Sequence, residues 1–594
     1  MSKVSKGLEK GNKEKLSMKE AFELLKPSQS VIKVGVSGKE KQSFRDWLWN
    51  YPKNLSNFFS STSPLSFIVL FVILGFGMFS FLRSDAFADV FNTRKTTIFV
   101  EGNVGALSTF NPIFISQNVV DSDIHALVFE KFVDISKEGT PVANIAKSWK
   151  VSSDGKTYEF TMSLDHMWQD GEKLTIEDVI FTFELAKTLS KDYGYDTVGA
   201  GLVDVKIEKL SNDTLRFVLP ESNATFFEIV SVYIVPKHIL EDIAPNDIPF
   251  NPFTRYPIGS GPYMITRSEP NVVYLKASDY YWVTPKIDTI VYRLYSDYKA
   301  LEAAFRNGVL DAMGGVNVSA MSYVSEYPDY VEYEVSLNTR IRMIFFNIRK
   351  EKLENKDIRI GLNHLIDKEE LLRKAEISGV IEHGPIPSTS WAYNSEISKY
   401  EYDPVKATEY FKNIGYVKNE SSGYFESEDK KILSFTLSYL NNEFNSKLAG
   451  VFKELLREQG VVINLEPLTY TQLTQEIVAT RDFELLMYEF ATTVDPDQYN
   501  LWHSLKSNYP DLNLSGYEYE RVDILLEDAR RSIDQKTRRE KYLLFQKYLT
   551  QDSPAIFLYH PNYKYVVREG IRIGDIENII FPYQRFEDIA YWSK

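Results

Sequence analysis

The sequence predicts a mixed α/β protein set behind a single membrane-spanning segment. Three observations carry that expectation. Short segments that alternate with period two, such as Lys156–Ser163 (KTYEFTMS) and Asp213–Leu219 (DTLRFVL), read as strands. Amphipathic helices with recognisable caps are interspersed with them. Leu65–Leu82 (LSFIVLFVILGFGMFSFL) runs for 18 residues without a charge, and no later stretch matches it.

From the N-terminus, Met1–Pro64 carries 12 Lys and Arg against 6 Asp and Glu. Residues 1–64 therefore read as a basic cytoplasmic tail, mostly disordered, with one short helix at Ser17–Leu25. At about 1.5 Å per residue, residues 65–82 nearly cross a hydrocarbon core of about 30 Å. The basic excess before them places the tail in the cytoplasm and everything after Arg83 outside. Ala86-Phe87-Ala88 has the small-x-small form of a signal-peptidase site, so the segment reads either as a permanent single-pass anchor or as a signal cut after Ala88, which would release a secreted or periplasmic domain. The anchor is favoured, because 64 residues is far longer than a signal n-region.

Beyond Asp89 no Pro/Gly/Ser linker, charge run or fixed-period repeat interrupts the chain, which predicts interleaved lobes and not beads on a string. Asp154-Gly155 and Asn212-Asp213 are the expected hairpin turns. Thr175-Ile176-Glu177-Asp178 is a capping-box pattern that opens an apolar-faced helix, and Asp367 with Glu370 opens another. Val451–Gln459 is amphipathic and is stopped by Gly460.

Composition excludes several functions. The net charge is −14, and the basic tail leaves the remainder more acidic still, which argues against a binder that tracks nucleic-acid phosphates. With no cysteine there is no disulfide, thiolate metal site, iron–sulfur cluster, cysteine nucleophile or N-terminal lipid anchor. The sequence has no His-Glu-x-x-His, Gly-x-Ser-x-Gly, phosphate-loop or dinucleotide glycine motif, so it does not read as an enzyme and no cofactor is expected. A glycosidase-type carboxylate pair forms in space, so spacing along the chain does not exclude one. Seven histidines are scattered singly, and His238 and His560 read as packing or hydrogen-bonding residues. Aromatic residues make up 14% of the chain, enough to line a cleft as well as fill cores, and Trp391-Ala392-Tyr393 is one such run.

Several motifs then occur in a fixed order. The first are Asn111-Pro112, the stretch from Ala146 to Tyr158, and Trp168-Gln169-Asp170-Gly171 running on to Val179. They are followed by Val235-Pro236-Lys237-His238, Pro257-Ile258-Gly259-Ser260-Gly261-Pro262-Tyr263, Gly308-Val309-Leu310-Asp311, Phe346-Asn347, Asp357-Ile358-Arg359, Ile366-Asp367-Lys368, Tyr402-Asp403-Pro404 and Gly415-Tyr416. In this order and spacing the chain, from about Thr97 to Trp592, resembles the family 5 extracytoplasmic solute-binding proteins, which serve ABC importers of oligopeptides, dipeptides and, in some members, nickel. The resemblance implies a periplasmic-binding-protein-like fold of two α/β lobes with an extra subdomain, joined by two chain crossings. Lobe one would take 96–335 and 555–594, and lobe two 336–554. Each motif also has a structural reading as a turn, a cap or a close backbone approach, so the motifs identify the scaffold more than the ligand site.

The same resemblance implies a monomer that closes on its ligand by hinge motion and delivers it to the importer's permease, with no nucleic-acid partner. In peptide-binding members an aspartate three residues before an Asp-Pro pair holds the ligand's amino group. Here the pair is Asp495-Pro496 and that position is Thr492, which carries no charge. Either Asp495 or Asp497 substitutes, or the ligand lacks that group. Lys447 stands near where a dipeptide binder carries an arginine for the carboxylate. The candidate ligand-binding residues are Asn111, Trp391, Tyr393, Lys447, Tyr488, Thr492 and Asp495. The expected ligand is a peptide. The alternatives are another solute on the same fold, such as an oligosaccharide or a metal chelate, or a signalling or structural ectodomain. A direct metal site has little to draw on here.

Overall fold

The computed structural model describes residues 96–594 apart from 117, 316–328 and 578. The tail, the short helix at Ser17–Leu25, the span at 65–82 and Ala88 lie outside the described residues. Among those described, no helix is long and apolar enough to cross a membrane.

The first strand, Ile98–Val104, lies between Thr289–Tyr295 and Ala312–Gly314 and runs parallel to both. Val272–Ala277 and Tyr263–Glu269 extend the sheet antiparallel. The helix Val119–Val128, capped by the Asn118 side chain accepting from the Val120 N–H, packs Ile124 and Leu127 into the same core as Phe99, Tyr263 and Trp592. A separate antiparallel sheet carries the extra subdomain in the order Ala146–Val151, Thr157–Met162, Thr214–Val218, Lys206–Lys209. The helix Ile176–Tyr193 shares a core with it, built on Phe132, Phe160, Trp168, Phe183 and Phe217.

The second half has a sheet in the order Val462–Leu468, Ser434–Leu440, Leu485–Ala491, Arg340–Phe346, Ala555–Arg568. Arg340–Phe346 shows why helices cover both of its faces. Side chains alternate across a strand, so Ile344 and Phe346 enter one core with Leu448, Phe452 and Leu456 of the helix Glu443–Gln459. Ile341, Met343 and Phe345 enter another with Leu526 and Phe545 of the helices Glu520–Arg531 and Gln535–Asp552. The long strand Ala555–Arg568 belongs to both halves: Ala555–Tyr559 pairs with Arg340–Phe346, and Asn562–Arg568 pairs with Tyr330–Ser336. The chain crosses between halves there and again through Ser336–Arg340.

The expected local signals hold. Gly155 takes a left-handed φ of 67° in its hairpin. The Thr175 N–H donates to Asp178 Oδ2 at 2.8 Å, Asp367 accepts from the Glu370 N–H at 2.9 Å, and Gly460 ends its helix at φ 98°. That last helix begins at Glu443, eight residues before the expected Val451, because its first turns are largely polar and set by the Asn442 cap. Gly259 and Gly261 are required by close approach. A Cβ on either would lie 1.9 Å from the Val128 carbonyl oxygen or 2.7 Å from its carbonyl carbon, respectively. Gln169 ties this crossing together by donating to the carbonyls of Val128, Gly261 and Tyr263 and accepting from the Gly259 N–H at 3.0 Å.

Candidate functional site

Where the two halves meet, a cavity of about 280 Å³ is lined by Phe114, Ile115, Glu228 and Tyr233 from the first half, Val494 from the second and Tyr583 from the C-terminal return. A larger cavity of about 420 Å³ shares the wall of Lys131, Tyr233 and Tyr583 but takes no residue from the second half. A ligand drives hinge closure only by touching both halves, so the smaller cavity is the candidate. A third space of about 350 Å³ also spans the halves, between the extra subdomain and the helix Glu520–Arg531. Its rim is mostly charged and polar, with Phe226 and Tyr499 as its aromatic lining, fewer than the four Phe and Tyr of the smaller cavity.

Local structure explains how charge reaches this cavity. The strand Leu485–Ala491 ends where the Thr492 N–H donates to the Thr339 carbonyl at 2.6 Å, and the chain then turns through Thr493 and Val494 into Asp495-Pro496. Asp495 Oδ2 accepts from Arg538 Nη1 at 2.7 Å, and its Oδ1 accepts from Nη2. The Arg538 guanidinium lies 5.5 Å from the ring centres of both Trp391 and Tyr542, and Asp497 pairs with Arg530. From the other half, the short helix Phe226–Val230 carries Glu228, whose Oε1 accepts from the Asp495 N–H at 2.9 Å. Burial, then repulsion from Asp495, pushes the Glu228 carboxyl up to about 8. His125, also on the wall, is held down to about 4 by burial and stays neutral. Lys131 Nζ donates to Tyr583 Oη at 3.1 Å and lies over the Tyr583 and Tyr233 rings.

None of the seven expected residues itself lines the cavity, although three adjoin it. Thr492 and Asp495 bracket Thr493-Val494, and Asn111 precedes the lining Pro112. Asn111 is buried, and its Nδ2 has no hydrogen-bond partner among the described residues. The expectation that Asp495 is free to take a ligand's ammonium is corrected: Arg538 already occupies both its oxygens. Trp391 packs beside Arg538 and Tyr542 and so supports the Asp495 pair. Tyr393 is half-buried, its N–H donating to the Ser390 carbonyl. Tyr488 packs on Phe490 within its strand. Lys447 forms an exposed ion pair with Glu376 at 2.7 Å, as a solvated helix residue does. Glu228, Tyr233 and Tyr583 went unmarked in the sequence because nothing local distinguishes them. Their role depends on contacts across hundreds of residues.

Residues 140–511 match the family of bacterial extracellular solute-binding proteins, family 5 (middle). The chain belongs to that family. Family 5 relatives include the oligopeptide-binding protein AppA of Bacillus subtilis, 26% identical over 483 residues, spanning 80% of this chain and 88% of that protein. The dipeptide-binding protein of Escherichia coli is 23% identical over 497 residues, covering 79% and 90% of the two chains. The solved structure of NikZ from Campylobacter jejuni in complex with Ni(L-His) superposes with a TM-score of 0.71 at 23% identity, covering 84% of this chain and 99% of that one. The two-lobe periplasmic-binding-protein-like architecture is therefore shown, and this family 5 protein is an extracytoplasmic solute-binding protein.

Proposed function

We propose that the protein is the binding component of an ABC importer, that it carries a short peptide in the interlobe cleft, and that it is not an enzyme. One observation carries this reading: a single aromatic-walled cavity takes its lining from both halves and from the C-terminal return. A ligand there favours the closed arrangement because only that arrangement completes its contacts. The peptide assignment is supported by the oligopeptide- and dipeptide-binding relatives. At about 280 Å³ the cavity lies at the lower end of ligand pockets, which favours a peptide of a few residues over a long one. In this reading 96–335 with 555–594 form one lobe and 336–554 the other. Residues 65–82 anchor a monomer to the membrane beside its permease, with the tail in the cytoplasm. Asn111, Thr492 and Asp495 frame the site, and Trp391 packs behind Asp495 beside Arg538.

Native mass spectrometry of the purified protein, followed by denaturation and identification of whatever co-purifies, tests the reading. Short peptides are the expected outcome. An oligosaccharide, or a metal held by a small chelator, would keep the fold and replace the substrate. Among the described residues no group of three His, Cys, Asp or Glu could hold a metal, so a metal ligand would have to bring its own chelator.

A further inference from the structure

We propose that Glu228 is the anchor for a cationic group of the ligand, so that the cleft binds a solute bearing a free primary amine against this carboxylate. The inference rests on the peptide reading and names the residue that recognises the peptide's amino end. Three carboxylates gather where the helix Phe226–Val230 meets the loop after Leu485–Ala491: Glu228, Asp495 and Asp497. Two cations are provided for them. Arg538 holds Asp495 and Arg530 holds Asp497. Glu228 is left over. Among the described residues no Lys, Arg or His pairs with it; its carboxyl accepts from the Asp495 backbone N–H at Oε1 and is hydrogen-bonded by the Thr493 side chain, and neither group brings a positive charge. A carboxylate withdrawn from water without a counter-charge is costly, and the cavity it lines is where that charge would arrive.

The surroundings suit an ammonium. The Tyr233 and Tyr583 rings on the same wall present faces that attract cations and already hold Lys131. Thr492 contributes no charge, and its hydroxyl is turned to the Thr339 carbonyl at 3.3 Å. The groups facing Glu228 are Asp495, Asp497 and Thr493 from the second half, with Arg530 and Arg538 committed behind them. His125 and Lys131 line the cavity from the first half. With its carboxyl pushed up to about 8, Glu228 is largely protonated in the empty cleft at pH 7. An arriving ammonium pairs with the carboxylate, and the displaced proton leaves to solvent. Ligand uptake by a free amine is thus accompanied by proton release, and uptake of an acylated ligand is not.

The test offers the full-length protein a library of di- and tripeptides in free-amine and N-acetylated forms, with capture read by native mass spectrometry. Proton release is read by calorimetry in buffers of different ionisation enthalpy. The wild type is expected to favour free amines at least tenfold and to release close to one proton per peptide at pH 7. Glu228→Gln, which mimics the neutral carboxyl, is expected to lose both the preference and the proton. Glu228→Asp should restore part of each. Capture of both series alike by the wild type, or an unchanged preference in Glu228→Gln, overturns the anchor and leaves the peptide reading standing. Capture of neither series by the wild type overturns the peptide reading and the anchor together.

Discussion

Arg538 is buried and Asp495 largely so, its side chain 13% exposed, and the guanidinium is the only cation that neutralises Asp495 beside Glu228 among the described residues. Removing it strands a buried negative charge next to a second carboxyl, a situation that typically costs about 3–5 kcal/mol. Arg538→Ala is therefore expected to lower the unfolding free energy by roughly that amount in urea denaturation. A loss below about 1 kcal/mol would show that the pair is solvated and not structural. At this scale the sequence was half legible. The uncharged Thr492 stood out against the family pattern, but its replacement did not. Glu228 and Asp495 are 267 positions apart, and Glu228 sits on a five-residue helix with no periodicity to mark it.

Elements were read more surely than residues, because caps and turns act locally. The box at Thr175, the cap at Asp367 and the glycine stop at Gly460 all fell where the sequence put them. The C-terminal return was not legible. Its short helix Pro582–Phe586 buries Arg585, which donates to Glu101 Oε1 at 2.9 Å and to Asp123 Oδ1 at 2.8 Å, under Tyr565 and Tyr292. This pins the C-terminal return to the first strand described across 484 positions, a pairing no local pattern announces. Burial outweighs the pull of Arg585 and raises the Glu101 carboxyl from 4.5 to about 7. Folded protein then holds a proton that unfolded chain has released, so the stability from this group is full below about 4.5 and is lost as pH rises through about 7. Glu101→Gln is expected to flatten that part of the profile between pH 5 and 7, by at most about 1.4 kcal/mol per pH unit. Urea titrations of the two proteins at pH 5, 6 and 7 decide it. Parallel profiles would mean that Glu101 is ionised throughout.

At the scale of the whole molecule, recognition and closure are separate terms and can be altered separately. The halves meet away from the cavity as well as around it. The Ala224 N–H donates to the Arg530 carbonyl at 2.8 Å, Arg531 pairs with Glu221 at 3.1 Å, and Ile533 lies against the turn at Gly155. Arg531 and Glu221 are exposed, so the pair itself contributes little. Reversing its sign, however, puts like charges on the two sides of a seam that must close. Ligand binds tightly only to closed protein, so apparent affinity falls with the closed fraction of the empty protein. The double variant Arg531→Glu, Ile533→Asp touches nothing that lines the cavity. It is expected to weaken peptide binding about three- to tenfold, the effect of a penalty of about 0.6–1.4 kcal/mol on closure. Any preference for free amines over acetylated peptides should stay unchanged, because Glu228 is untouched. Small-angle scattering of the empty double variant should show a larger radius of gyration than the wild type. Unchanged affinity with an unchanged radius would mean that these seam contacts do not set the closed population, leaving closure to the ligand and to the Glu228–Asp495 bridge.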